Sequence, residues 1–250
     1  MPVYRADLHI HTDGPFEDDG RICRGLDPLD AGSLIASSNL DVVAITNHGQ
    51  TKPDAFFPVK NAVAAHDSFR RPNRERLIFL GVEMQLVIEE GRFNVGYVFE
   101  KPYHHGNWPE FPAKGAPISE LEQYKKEYPG VAILNHPHSR GYDSEIIHTA
   151  IQHPLIDGVE IMNASQVMDS DPRRLKNAWE DLTLEAAIKG QKSPIGGSGL
   201  HDASGHLIGN VYTTFTALHP VVIFHAIRNC TTQALCADPI RDRLSLPHDY

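Results

Sequence analysis

The sequence predicts an α/β fold in which parallel strands alternate with helices and close into a TIM-like barrel. Three observations predict it. Short apolar runs rich in β-branched residues alternate with helical stretches from end to end, without a composition break. About seven such βα units fit into the chain, which has the length that a barrel of this kind takes. Neither a dinucleotide-binding glycine motif nor a P-loop follows the first strand. That counts against a doubly wound nucleotide-binding sheet, the structural alternative. The 250 residues, 41% of them hydrophobic, are read as one barrel domain over 1–250, with residues 238–250 as a surface tail.

The first strand is Val3-Tyr4-Arg5-Ala6, running on into Asp7-Leu8-His9-Ile10-His11-Thr12. Residues two apart on a strand share a face. His9 and His11 are therefore expected on one face, with Leu8 and Ile10 on the other. A loop rich in turn residues and carboxylates follows, from Asp13 to Gly20. Asp27 is placed as the N-cap and Pro28 as the first residue of a helix reaching about Ser37. Leu40–Thr46 is a continuous apolar run of the kind found in buried parallel strands.

Asp54 to about Arg70 reads as helix. Leu77–Val82 is the third strand, with Glu83 at its end, and Arg92–Phe99 is the fourth. A loop rich in Pro, Gly and His spans 101–115. Ile118–Tyr128 is a polar helix, and Val131–Leu134 is a strand that ends in Asn135-His136-Pro137-His138. Asp143–Gln152 is helical. Gly158–Met162 is a strand ending in Asn163. Pro172–Lys189 is the longest helix, stopped by Gly190. Pro194–Ser198 is the seventh strand, ending near His201. Asn210–Ala217 adds a further strand and Pro220–Asn229 a further helix.

Composition excludes several classes. The formal net charge is −9 and no long Lys/Arg run occurs, which argues against a nucleic-acid backbone as the main partner. The three cysteines, Cys23, Cys230 and Cys236, form no C-x-x-C pair. The reading is a reduced cytoplasmic protein with neither a disulfide framework nor a Cys-based zinc site. No signal-peptide pattern opens the chain. No apolar run has the length of a membrane span, so no membrane partner is expected.

The 15 histidines are the unusual feature of the composition. In a barrel of this class, functional groups stand at the C-terminal ends of strands. Those ends carry His9 and His11, then His48, Glu83, His136 and His201. Imidazoles with a carboxylate suit Zn, Mn or Fe rather than Mg or Ca. Glu83 is able to bridge two ions through its two oxygens, and such a pair clamps an in-line displacement at phosphorus. No G-x-S-x-G elbow offers a serine nucleophile. Arg21, Arg24, His138 and Arg140 are candidates for holding a substrate phosphate, with solvated loop residues as the plain alternative. Asp7 is read as a structural acceptor. Glu160 and Asn163 either orient ligands or satisfy core hydrogen bonds.

These residues resemble the motifs of the PHP domain (polymerase and histidinol phosphatase). Asp7–Thr12 is similar to its opening motif, Ala44-Ile45-Thr46-Asn47-His48 to its second and Gly81-Val82-Glu83 to its third. Asn135-His136-Pro137-His138 resembles its His-Pro motif. Gly158–Asn163 resembles its later Glu-containing strand, and Gly197-Ser198-Gly199-Leu200-His201 its closing Gly-Ser-Asp-x-His. The matches run in order from Asp7 to His201. The resemblance implies a distorted (β/α)7 barrel, up to three metals and phosphoester hydrolysis.

The departures from the pattern are specific. The closing Asp is Gly199, with Asp202 as a possible substitute. The Asp before His48 is Asn47. The fourth-strand His falls at Phe93 or Asn94. For the acidic ligand after the His pair, Asp13, Glu17, Asp18 and Asp19 are candidates, with Asp19-Gly20 the closest in type. One or two ions are therefore expected rather than three, held by His9, His11, His48, Glu83, His136, His201 and Asp19. The activity expected is metal-activated hydrolysis of a small phosphorylated molecule, with His201 and His48 moving protons. A metal-dependent amidohydrolase also starts from His-x-His, and a degenerate non-catalytic metal- or ligand-binding barrel is the third reading.

Overall fold

β1 (Val3–Ile10) lies near the middle of a mixed ten-stranded sheet. The computed structural model describes residues 1–12, 16–18, 21–23, 28–48, 60–61, 63–64, 76–101, 110–137, 143–165, 187, 189, 191–199 and 207–237. β2 (Phe16–Asp18) and β3 (Arg21–Cys23) form a separate antiparallel pair. α1 (Pro28–Ser37) leads to β4 (Val42–Ile45). Next come β5 (Leu77–Ile88), β6 (Gly91–Phe99) and the two-residue β7 (Ala116–Pro117). α2 (Glu120–Glu127), β8 (Gly130–Leu134), α3 (Ser144–Gln152) and β9 (Gly158–Asn163) follow. The chain continues through β10 (Ser193–Gly197) and β11 (Val211–Thr216). A 3-10 turn (Pro220–Val222), α4 (Ile223–Arg228) and β12 (Thr232–Cys236) complete it.

The strands pair in the order β10-β9-β8-β6-β5-β4-β1-β11-β12. The curl brings the two ends of this path together. Thr213 Oγ1 on β11 accepts from Gly196 N and donates to Gly196 O, both at 3.0 Å. Just beyond β10, Gly199 N and Ser198 Oγ donate to His9 O at 2.9 and 3.1 Å. The result is a nearly closed barrel whose seam is made by a few isolated hydrogen bonds rather than a full ladder.

Two apolar clusters follow from this closure. The inner one draws on strands all round the sheet: Ala6, Leu8, Val42, Ala44, Val98, Val131, Ile133, Ile195 and Phe215. Ile223, Phe224, Ala226 and Ile227 of α4 plug it from below, with Phe224 edge-on to Phe79 at 4.9 Å. Burying a side chain such as Phe224 stabilises by about 1.5–3 kcal/mol. The outer cluster packs α1, α2 and α3 against the other sheet face, through Ile35, Leu121, Ile147 and Ile151. Arg76 anchors the entry to β5 by donating to the carbonyls of Ile35, Ala36 and Ser38 at the end of α1.

The alternation of parallel strands and helices is broken in the middle. β5 and β6 form an antiparallel hairpin, and β6 pairs antiparallel with β8. Glu83 therefore stands inside a 12-residue strand, not at its end. β12, antiparallel to β11, and the β2–β3 pair were not expected either. Leu8 and Ile10 do not share a face. Leu8 lies in the inner cluster and Ile10 in the outer one, because the pairing of β1 with β4 shifts register between Asp7 and Ile10. The tail over 238–250 lies outside the described residues, and so do most residues of the helices expected over 54–70 and 172–189.

Candidate metal centre

Three elements, β1, β4 and β8, deliver imidazoles to one buried point, and β5 delivers a carboxylate. The register shift in β1 brings His9 and His11 toward it, both almost without solvent exposure. β4 runs straight into Asn47 and His48, which continue alongside β5: Glu83 N donates to Asn47 O at 2.9 Å. Asn47 serves the turn after His11, since its Oδ1 accepts from Thr12 N at 2.7 Å. β8 ends in Asn135 and His136, and His136 adopts a positive φ of 27°. That backbone conformation is uncommon for a residue with a side chain and is held by its surroundings. Here the hold is a 2.7 Å hydrogen bond from His136 N to Glu160 Oε2.

Glu83 lies between the imidazoles, and its two oxygens divide them. Oε1 is 2.9 Å from His136 Nε2 and 3.5 Å from His9 Nε2, and accepts from Asn135 Nδ2 at 2.8 Å. Oε2 is 3.3 Å from His48 Nε2 and 3.5 Å from His11 Nε2. His9 Nε2 and His11 Nε2 are only 3.0 Å apart. Two trios result, His9–Glu83–His136 and His11–His48–Glu83, with the ligand atoms of each within 4.8 Å of one another.

This donor set fits divalent transition ions. Imidazole nitrogens and a carboxylate are the ligands such ions prefer. Glu83 Oε2 is buried and accepts no hydrogen bond among the described residues, which is expensive for an anion unless a cation faces it. Burial opposes protonation of His9, but the carboxylates of Glu160 and Glu83 outweigh it and raise its pKa to about 9. Burial likewise opposes ionisation of Glu83, but His136 and His9 outweigh it and hold its carboxyl well below the usual range. Glu160 is lowered in the same way, with His9 overcoming burial.

Asp7 stands behind the pair. Its Oδ1 accepts from His9 N at 3.2 Å and from Ser198 N at 3.1 Å. Burial dominates its pKa, pushing it up to about 7 against those hydrogen bonds. Gly197 is needed beside it, because a Cβ there would lie 2.7 Å from Glu160 Oε1 and 2.9 Å from His9 Cβ.

Of the residues singled out in the sequence, His9, His11, His48, Glu83 and His136 come together. Asp19, Arg24, His138, Arg140, His201 and Asp202 lie outside the described residues. Arg21 falls in β3, of which only the backbone is described. Asn94 lies on the same face of the hairpin as Glu83, opposite Gln85, while Phe93 is in the outer cluster. Asn135, which donates to Glu83 Oε1, is a site residue beyond those singled out in the sequence, and its place beside His136 in the His-Pro motif is the signal for it.

No family model matches the chain, and no curated protein matches it in sequence. Solved structures share its fold at low identity. A two-domain protein from Bacteroides vulgatus containing a predicted PHP-like metal-dependent phosphoesterase aligns over 94% of this chain with TM-score 0.60 and 14% identity. This chain spans 65% of that protein. An amidohydrolase from Chromobacterium violaceum, solved with sulfate and without metal, aligns over 94% of this chain and 99% of its own, with TM-score 0.57 and 14% identity. A proposed metal-dependent phosphoesterase from Bifidobacterium adolescentis aligns over 79% of this chain and 88% of its own, with TM-score 0.51 and 14% identity.

Proposed function

We propose that this chain is a metal-dependent hydrolase with a centre for two divalent transition-metal ions, Zn, Mn or Fe, and that it cleaves phosphoesters of small phosphorylated molecules. The observation that carries the reading is the division of imidazoles between the two oxygens of Glu83. His9 and His136 would hold one ion, His11 and His48 the other, with Glu83 common to both. When bound, such ions supply Lewis-acid polarisation of a phosphoryl oxygen and a water of lowered pKa. The motif resemblance to the PHP domain and the fold shared with the Bacteroides and Bifidobacterium structures support the phosphoester class.

The residues of the chain then have separable tasks. Glu160 accepts from His9 Nδ1 at 3.0 Å and so leaves the Nε2 lone pair directed at the centre. Asn135 fixes the rotation of the Glu83 carboxylate. His48 has the most exposed side chain of the cluster, at 21%, which supports it as a group that moves a proton between the centre and solvent. His201 is proposed alongside it. Asp19 is proposed as a further metal ligand, and Arg21, Arg24, His138 and Arg140 as holders of the substrate phosphate. The net charge of −9 and the lack of a basic run favour a small substrate over a nucleic acid. No helix among the described residues is long and apolar enough to cross a membrane.

The fold shared with the Chromobacterium amidohydrolase favours amide cleavage as a second reading. The test is elemental analysis of protein purified without chelator, followed by a panel of phosphomonoesters, phosphodiesters and amides with added Mn or Zn. The expected result is up to two ions per chain and turnover of phosphoesters only. Turnover confined to amides selects the second reading, and a chain that takes up no metal refutes both.

A further inference from the structure

The Glu160–Asn163–Gly199 corner of the barrel mouth serves the metal centre without touching it. Glu160 is buried, and both its oxygens are engaged. Oε1 lies 3.0 Å from His9 Nδ1, while Oε2 accepts from His136 N at 2.7 Å and Asn163 Nδ2 at 3.0 Å. One carboxylate thus holds two residues of the same trio, His9 by its ring and His136 by its backbone. Asn163, buried opposite Gly197 in the β9–β10 register, limits the rotation of that carboxylate.

The same carboxamide fills the neighbouring space. Gly199 has a φ of +52°, and a Cβ built on it would fall on the Asn163 side chain, 2.6 Å from both its Cγ and its Oδ1. The carbonyl of Gly199 accepts from Ser165 Oγ and its N–H donates to His9 O at 2.9 Å, so the backbone there is pinned on two sides. A side chain at 199 and the carboxamide of Asn163 exclude each other.

We propose that Glu160 and Asn163 are positioning residues, and that Asn163 occupies the space of a side chain at 199, so that the metal centre operates without a ligand from that position. The proposal rests on the two-ion reading above. Glu160 acts by holding His9 in the Nδ1–H tautomer and His136 in its strained backbone conformation. Asn163 acts by holding Glu160. Loss of such an outer partner lowers metal affinity by about 10–100-fold.

The test titrates metal-stripped protein with Co(II) against a competing chelator, reading the cobalt absorption spectrum, with circular dichroism and melting of each stripped variant as the folding control. Asn163→Ala and Glu160→Gln are expected to weaken cobalt binding about 10–100-fold, with native circular dichroism for Asn163→Ala. Gly199→Asp alone is expected to weaken binding by displacing Asn163. Asn163→Ala combined with Gly199→Asp is expected to recover affinity with an altered cobalt spectrum, because Asp tolerates a left-handed backbone once the space is open. Wild-type protein that binds no cobalt refutes the metal reading itself. Wild-type binding with unchanged affinity in Asn163→Ala, or tighter binding in Gly199→Asp alone, overturns this proposal and leaves the metal reading standing.

Discussion

Glu83→Gln is the most informative single change, because it keeps the shape of the side chain and removes its charge and one acceptor. A carboxylate presents acceptors to both trios, whereas an amide presents one oxygen and one N–H2 group. If the amide oxygen keeps Asn135 and His136, with their 2.8 and 2.9 Å contacts, the N–H2 group faces His11 and His48. If it turns, the first trio is lost instead. The variant is therefore expected to hold at most one ion per chain, and weakly. The metal-free protein also suffers, because Glu83 helps to balance the positive charge of His9. Removing one partner of a buried ion pair costs about 3–5 kcal/mol. For a chain of this size, that is a fall in melting temperature on the order of 10 °C. The assay is calorimetric melting of chelator-treated protein, paired with elemental analysis after reloading. A variant that melts with the wild type and carries the same metal would refute the role assigned to Glu83.

Other expectations follow from the same geometry. His136→Ala and His48→Ala each remove a member of one trio only, so each should leave one ion, readable as half the wild-type zinc or manganese content. His9 must give up a proton to bind metal. With its pKa at about 9, apparent affinity should rise about tenfold per pH unit from pH 7 towards 9. Calorimetric enthalpies that do not depend on buffer ionisation would argue against this. In the metal-free protein, the folded-state pKa values of His9 and Asp7 are raised above their ordinary values of 6.5 and 3.8. Both therefore stabilise most at low pH, and the contributions fade as pH rises through about 7 for Asp7 and about 9 for His9. The unfolding free energy of chelator-treated protein, measured by urea titration, should accordingly fall between pH 6 and pH 9, by about 3 kcal/mol for His9 alone. Phe224→Ala should cost about 3–5 kcal/mol by emptying the plug of the barrel, measured by the same urea titration with little change in metal content.

Much of the centre was legible because strand periodicity and strand-end placement are local properties. His-x-His after an apolar strand, Asn-His after LDVVAIT and His-Pro after VAIL each carry their position in their neighbours. The orientation of β5 and β6 was not legible. Their turn is Glu89-Glu90, and Glu89 adopts a φ of 54° without the Asn or Gly that usually announces a tight hairpin. Reading an end at Val82 hid the continuation of the strand through Glu83. The exchange of roles between Asn163 and Gly199 was equally hidden. It depends on two strands meeting across 36 residues, and no spacing within either segment encodes it. Asn47 stands in the sequence where the resemblance expects an acid, whereas its carboxamide closes the turn at Thr12. β12 is short and half-buried, and its pattern did not separate it from a loop.

The seam beside β1 has a mechanical consequence. On one side, β1 is joined to β11 by a regular ladder over Val3–Ala6. Past Ala6, at the metal-binding end, Ser198–Gly199 lies beside β1 in place of β11, joined to it by a handful of single bonds through Asp7 and His9, while β4 ladders the opposite edge. A ladder yields as a unit, whereas single bonds yield one at a time. The barrel thus has a built-in parting line, and it runs past the first histidine. An ion gripped by His9, Glu83 and His136 would fasten β1 to strands on the opposite wall and act as a rivet across that line. Amide exchange at Ser198 and Gly199 would then report occupancy of the centre, fast in stripped protein and slow in loaded protein.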